Sequence, residues 1–171
     1  MVQLEAEAPE HLEGIRAVHR AAFGGEDEVK LVDRLRDDGL VVASVVALRH
    51  GEVAGHILFS ELPIRRDDGG PDVPAASLAP MAVHPRIQRV GVGSLLVRAG
   101  LEVCRAKGKA AVLVLGHASY YPRFGFSVEL GKRIRSPYSG DSWMALELQP
   151  GALQGITGSV QYPAAFGLLE H

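Results

Sequence analysis

At 171 residues, 47% hydrophobic and 22% charged, the chain is long enough for one domain over residues 1–171 that buries roughly 70% of its unfolded surface. A formal net charge of −2, with no basic cluster larger than Arg65-Arg66 or Lys132-Arg133, excludes the electrostatic footprint of a nucleic-acid binder. The acidic start Met1-Val2-Gln3-Leu4-Glu5 has no apolar signal region, and no apolar run approaches the roughly 18 residues of a membrane span. With one cysteine, Cys104, no internal disulfide forms, so the expectation is a cytoplasmic protein with no membrane partner.

Residues 2–6 read as a first strand. Pro9 suits the first turn of a helix whose apolar face carries Leu12, Ile15, Val18 and Ala22, and Phe23-Gly24-Gly25 ends it. Glu26-Asp27-Glu28 opens a second helix to about residue 38, acidic residues suiting the positive end of its dipole. Two strands at 41–49 and 53–60 follow, joined by His50-Gly51-Glu52, and His56 reads as a half-exposed strand residue with no second His or Cys at metal spacing. Residues 65–72 read as a solvated polar loop.

The strand Leu78-Ala79-Pro80-Met81-Ala82-Val83 ends at His84-Pro85. Pro80 donates no ladder hydrogen bond, which predicts a bulge that splays this strand from its neighbour. Next comes Gln88-Arg89-Val90-Gly91-Val92-Gly93-Ser94, then Leu95, Leu96, Ala99 and Val103 at helical spacing, with Gly108 placed as a left-handed cap. The glycine turn is therefore a helix N-terminus, whose free N–H groups and partial positive charge suit a pyrophosphate. A Rossmann fingerprint would have glycine at position 96, which is Leu96, and the Gly-Lys-Ser/Thr of a P-loop is absent. The continuous apolar run at 111–115 reads as a buried strand parallel to 78–83, because a helix connects them. After Tyr120-Tyr121-Pro122-Arg123-Phe124-Gly125-Phe126, runs such as Trp143-Met144-Ala145-Leu146-Glu147-Leu148 read as closing strands. The apolar tail at 164–169 is expected on the sheet or in a homodimer interface.

The spacing Q-x-x-G-x-G at Gln88 to Gly93, followed by Y-x-x-x-G-F at Tyr121 to Phe126, resembles the signatures of the GCN5-related N-acetyltransferases, the GNAT family. The tail with Pro150-Gly151-Ala152-Leu153 and Tyr162-Pro163-Ala164-Ala165-Phe166 extends the resemblance over nearly the whole chain, to the YhbS-like branch. The resemblance implies an α/β fold with a splayed mixed sheet flanked by helices, acetyl-CoA as co-substrate, no metal, and an amine acceptor whose identity stays open. It places the pyrophosphate on the turn Gln88, Arg89, Val90, Gly91, Val92, Gly93 and Ser94, and the pantetheine along Met81, Ala82 and Val83, with the Met81 N–H facing the thioester oxygen. Tyr121 aligns with the tyrosine that protonates the departing thiolate, while Tyr120, Glu26 and Glu28 fall on the acceptor side.

Two departures qualify this. Where the histone-acetylating branch carries a glutamate, four residues before the oxyanion residue, this chain has Ser77, which cannot act as a base. The turn His117-Ala118-Ser119 replaces an asparagine-bearing helix, so His117 reads either as a proton acceptor or as a solvent-facing turn histidine. A non-catalytic acyl-CoA sensor is the alternative function, and a protein-interaction domain using the tail is a third.

Overall fold

The computed structural model describes residues 1–88, 90–138 and 140–169. In chain order the elements are β1 (Gln3–Ala6), α1 (Leu12–Phe23), α2 (Asp27–Asp37), β2 (Val41–Arg49), β3 (Glu52–Glu61), β4 (Arg65–Arg66) and β5 (Ala75–Val83). There follow α3 (Val92–Ala106), β6 (Ala111–Leu115), α4 (Val128–Gly131), β7 (Ile134–Arg135), β8 (Trp143–Glu147) and β9 (Gly158–Ser159). Six strands form the main sheet in the order β1-β2-β3-β5-β6-β8. Its β5–β6 pair is parallel and the other pairs are antiparallel, which makes it the mixed α/β sheet expected.

Alternation along the strands sends side chains to two apolar layers. One layer joins Ile57, Phe59, Ala76 and Leu78 to Val92, Leu96, Val97 and Leu101 of α3. Helix and sheet approach closely there: a Cβ on Gly100 would lie 2.1 Å from the Phe59 ring, so glycine is required by packing. The other layer joins Val46 and Leu58 to Ile15 of α1, to Leu31, Val32 and Leu35 of α2, and to Ala165 and Phe166 of the tail, which is thus folded onto this face. The stripe of α3 differs from the expected one. Leu95 is 47% exposed and Ala99 and Val103 are half-buried, while Leu96, Val97, Gly100, Leu101 and Cys104 face the sheet.

Two further expectations are corrected. Residues 65 and 66 are not loop but β4, the edge of a small sheet ordered β4-β9-β7, where Asp67 accepts a forked pair of hydrogen bonds from Arg135 at 2.6 and 2.8 Å. His56 is fully buried, because its face of β3 is covered by α1 and its ring meets His19.

The parallel pair is short. β5 and β6 are in register at Ala75/Ala111, Ala76/Val112 and Ser77/Leu113, and then diverge. On the other edge of β5, Ile57 pairs with Met81 and Phe59 with Leu78, so three steps along β5 (78 to 81) oppose two along β3 (57 to 59). That extra residue is the bulge at Ala79-Pro80, and the divergence is the expected splay. It leaves the C-terminal half of β5 open along one edge.

Candidate active site

A cleft of about 860 Å³ lies along that open edge, lined by Met81 and Val83 of β5, by Gln88, Gly91, Gly93 and Ser94 of the turn into α3, and by Phe23, His117, Tyr120 and Arg123. The turn owes its shape to two side-chain-free positions. Gly91 sits at φ +88° as the N-cap of α3, a left-handed conformation in which an L residue is strained, and its carbonyl accepts the Leu95 N–H at 3.1 Å. Gly93 faces the cleft: a Cβ there would stand 3.2 Å from the Tyr120 hydroxyl and 3.6 Å from Met81 Cε. The first N–H groups of α3 have no partner within the helix and are at its positive end. Gln88 Nε2 donates to the Val83 carbonyl at 3.0 Å, tying the turn to the strand it leaves.

The other turn residues divide by direction. Val92 is buried in the core, Val90 is 70% exposed and lines a separate depression beside Arg49 and Arg86, and Arg89 lies outside the described residues. Ala82 is buried on the α1 face and pairs with His56. Any ligand contact from the buried Val92 and Ala82 is therefore through their backbone.

The two tyrosines of the second motif point to different surroundings. Tyr120 shares a hydrogen bond of 3.1 Å with the Ser94 hydroxyl and carries the Arg123 guanidinium over its ring at 4.4 Å, while Arg123 Nε donates to the Tyr120 carbonyl. It stands on the wall formed by the glycine turn. Tyr121 packs edge-on against Tyr120 and Phe126, and its ring covers Gly116, where a Cβ would lie 2.3 Å away. Burial pushes the Tyr121 phenol up to about 12, and the neighbouring Tyr120 adds to the rise, so it holds its proton. His117 is an exposed residue at the rim, its carbonyl accepting the N–H of both Tyr120 and Tyr121.

Glu26 and Glu28 are absent from the described cleft lining, to which the helix pair contributes Phe23. Glu26 is exposed and paired with Arg20 at 2.6 Å, which holds its carboxyl below its usual value. No group of three metal-ligating side chains occurs among the described residues, and among them no helix is long and apolar enough to cross a membrane. Phe23, Arg123 and Gly116 were not singled out from sequence. The glycine after β6 and the arginine inside the Tyr-Tyr-Pro-Arg-Phe-Gly-Phe turn were the available signals.

A strand splay, a glycine turn at a helix start and a turn that presents His117, Tyr120 and Arg123, with Tyr121 packed behind Tyr120 and outside the described lining, thus share one cleft, and residues 12–126 match the acetyltransferase (GNAT) family. The chain belongs to the GNAT family. It is an enzyme of that acetyltransferase class. The uncharacterized N-acetyltransferase YhbS of Escherichia coli is 33% identical over 166 residues, 95% of this chain and 97% of that protein, and YjhQ of the same organism is 39% identical over 82% of each. The crystal structure of YhbS in complex with CoA superposes with a TM-score of 0.86 over 97% of this chain and 92% of that one. A GNAT family acetyltransferase from Brucella melitensis in complex with acetyl-CoA gives 0.79 at 32% identity, over 97% of this chain and 98% of that one.

Proposed function

We propose that the protein transfers the acetyl group of acetyl-CoA to a primary amine by direct attack within a ternary complex. The observation that carries this is the cleft itself, in which the open edge of β5 runs straight into the N-terminus of α3. The thioester arm and the pyrophosphate of one ligand are thereby offered adjacent surfaces. Relatives crystallised with CoA and with acetyl-CoA support that choice of ligand. The free N–H groups of Gly93 and Ser94, with Arg89 by resemblance, hold the pyrophosphate, and the β5 edge at Met81 and Val83 pairs with the pantetheine amides.

In the reaction the amine nitrogen attacks the thioester carbon, the Met81 N–H stabilises the oxygen that gains charge, the C–S bond breaks, and the thiolate takes a proton from Tyr121. The proton lost by nitrogen leaves through water at the rim, where His117 is placed to receive it. Tyr121 then recovers a proton from solvent, so the sum is amine plus thioester to amide plus thiol. Tyr120 walls the donor side and fixes Ser94.

Calorimetry with CoA and free-thiol release over a panel of amines test this reading. CoA binding that weakens as salt rises, together with amine-dependent thiol release, is the expected result. Tight CoA binding with no release from any amine would favour the sensor alternative, and no CoA binding would remove the proposal.

A further inference from the structure

On the face of the sheet opposite α3, a second, smaller cavity of about 110 Å³ opens where the β5–β6 pairing stops. Its walls include Ser77 and Ala79 of β5, Leu115 at the end of β6, and Tyr138, Tyr162 and Phe166 from the C-terminal third. Tyr162 meets Tyr138 edge-on at 5.2 Å and Phe166 at 4.9 Å between centroids, so three rings form one continuous aromatic wall. Ser77 is 1% exposed and lines the cavity together with Tyr162. No charged side chain is among the described lining residues.

We propose that this cavity receives the body of the amine acceptor, and that the acceptor is a compact monoamine with an apolar aliphatic or aromatic body. The inference rests on the acetyltransferase reading above. Amine and donor reach a thioester from opposite sides, and the splay at Ser77 to Met81 is the place where the two faces of the sheet communicate. The donor residues Gly93 and Tyr120 lie on the α3 side, and this cavity lies on the other, where the β5–β6 pair parts.

The chemistry of the walls then selects the class. A polyamine or aminoglycoside brings further ammonium groups, each of which needs a carboxylate or water when desolvated. Here the position of the missing glutamate is Ser77, and Glu26, one of the two acidic residues that the resemblance put on the acceptor side, is paired with Arg20. Aromatic and aliphatic walls favour an apolar body instead. A dry apolar cavity of about 150 Å³ holds benzene, so this smaller one encloses about four carbons, the chain of butylamine or the leading edge of a phenyl ring.

The test compares butylamine and benzylamine with spermidine and an aminoglycoside by free-thiol release at saturating acetyl-CoA, in wild type and at Leu115. Leu115 is 45% exposed at a strand end, so its replacement leaves the core intact. The expected result is kcat/KM at least tenfold higher for the two apolar monoamines than for the polycations. Leu115→Trp, which fills the cavity, should raise the benzylamine KM tenfold or more with acetyl-CoA affinity unchanged, and Leu115→Ala should shift preference toward longer bodies. Benzyl alcohol should inhibit competitively against the amine. A preference for spermidine or the aminoglycoside overturns the inference and leaves the acetyltransferase standing, as does a Leu115→Trp effect equal for all amines. Absence of release from every amine, with CoA bound, overturns both.

Discussion

The Tyr120 hydroxyl and the Ser94 hydroxyl stand 3.1 Å apart, joining the turn after β6 to the first turn of α3 across the mouth of the cleft. That contact separates the roles of two adjacent tyrosines. Tyr121→Phe keeps the ring and removes the proton, so turnover should fall by roughly 10²–10⁴-fold with CoA affinity and melting temperature nearly unchanged. Tyr120→Phe frees Ser94 at the donor turn and should act mainly on the acetyl-CoA KM. Steady-state kinetics with both substrates varied decide it: a larger kcat loss in Tyr120→Phe exchanges the two assignments.

Gly116 tests the placement of Tyr121 without touching its hydroxyl. A Cβ there would fall 2.3 Å from the Tyr121 ring, so Gly116→Ala must displace that ring at a cost of about 1–3 kcal/mol in stability. Turnover should fall with it, and Gly116→Ala combined with Tyr121→Phe should be little slower than Tyr121→Phe alone, because residues acting as one unit are not additive. Multiplicative losses in the double variant would show that Gly116 acts elsewhere.

The two glycines of the donor turn should behave oppositely. Gly91 is held at φ +88°, so Gly91→Ala costs about 1–2 kcal/mol in the left-handed conformation. Gly93 is a helical residue whose Cβ would point at Tyr120 and Met81, so Gly93→Ala should hold or raise the melting temperature, alanine being the better helix former by about 1 kcal/mol. Its CoA affinity should nonetheless drop, since the methyl group occupies the cleft. Thermal melts and calorimetry on both variants read this contrast; unchanged CoA affinity in Gly93→Ala would move the donor away from the turn.

What could be read from sequence here is what local chemistry determines. Pro80 has no N–H for a ladder, and the bulge and splay follow at that residue. Gly108 adopts the left-handed conformation that its place after α3 implies. Contacts between distant segments were not legible. The face of α3 is decided by Phe59, some forty residues away, so Leu95, which fits the helical spacing, is nonetheless exposed. The two motif tyrosines are neighbours in sequence, and only the positions of Ser94 and Gly116 reveal which way each ring turns. His56 looked half-exposed because nothing local records that α1 brings His19 over it.

That histidine pair makes the last prediction, a loss of stability in mild acid. Ser44 donates its hydroxyl to Glu7 at 2.7 Å, so it accepts from His56 Nε2 at 2.8 Å. His56 Nδ1 is then the acceptor for His19 Nε2 at 2.8 Å, and His19 Nδ1 is left buried with no partner. Every bond in this chain is satisfied with both rings neutral, and a proton on either ring has no carboxylate in direct contact at less than the 4.0 Å between His56 and Glu7. Burial lowers His19 to about 4, and burial, then the charges of His19 and Arg36, lower His56 well below its usual value. Well above pH 6.5 neither the folded nor the unfolded chain protonates these rings, and stability is full. As pH falls from 6.5 toward 4 the unfolded chain takes up protons that the folded one refuses, so stability declines, by about 2 kcal/mol at pH 5 from His19 alone. Burial raises the Glu7 carboxyl, but hydrogen bonds from Arg36 and Ser44 outweigh it and leave the group lowered, which adds a further loss at lower pH. Urea midpoints at pH 7.5 and 5.0 measure the effect. His19→Phe, which keeps an aromatic ring beside Phe23, should flatten the dependence at some expense in stability at neutral pH. A wild-type midpoint that does not fall between those two pH values would mean that the pair is not neutral in the folded protein.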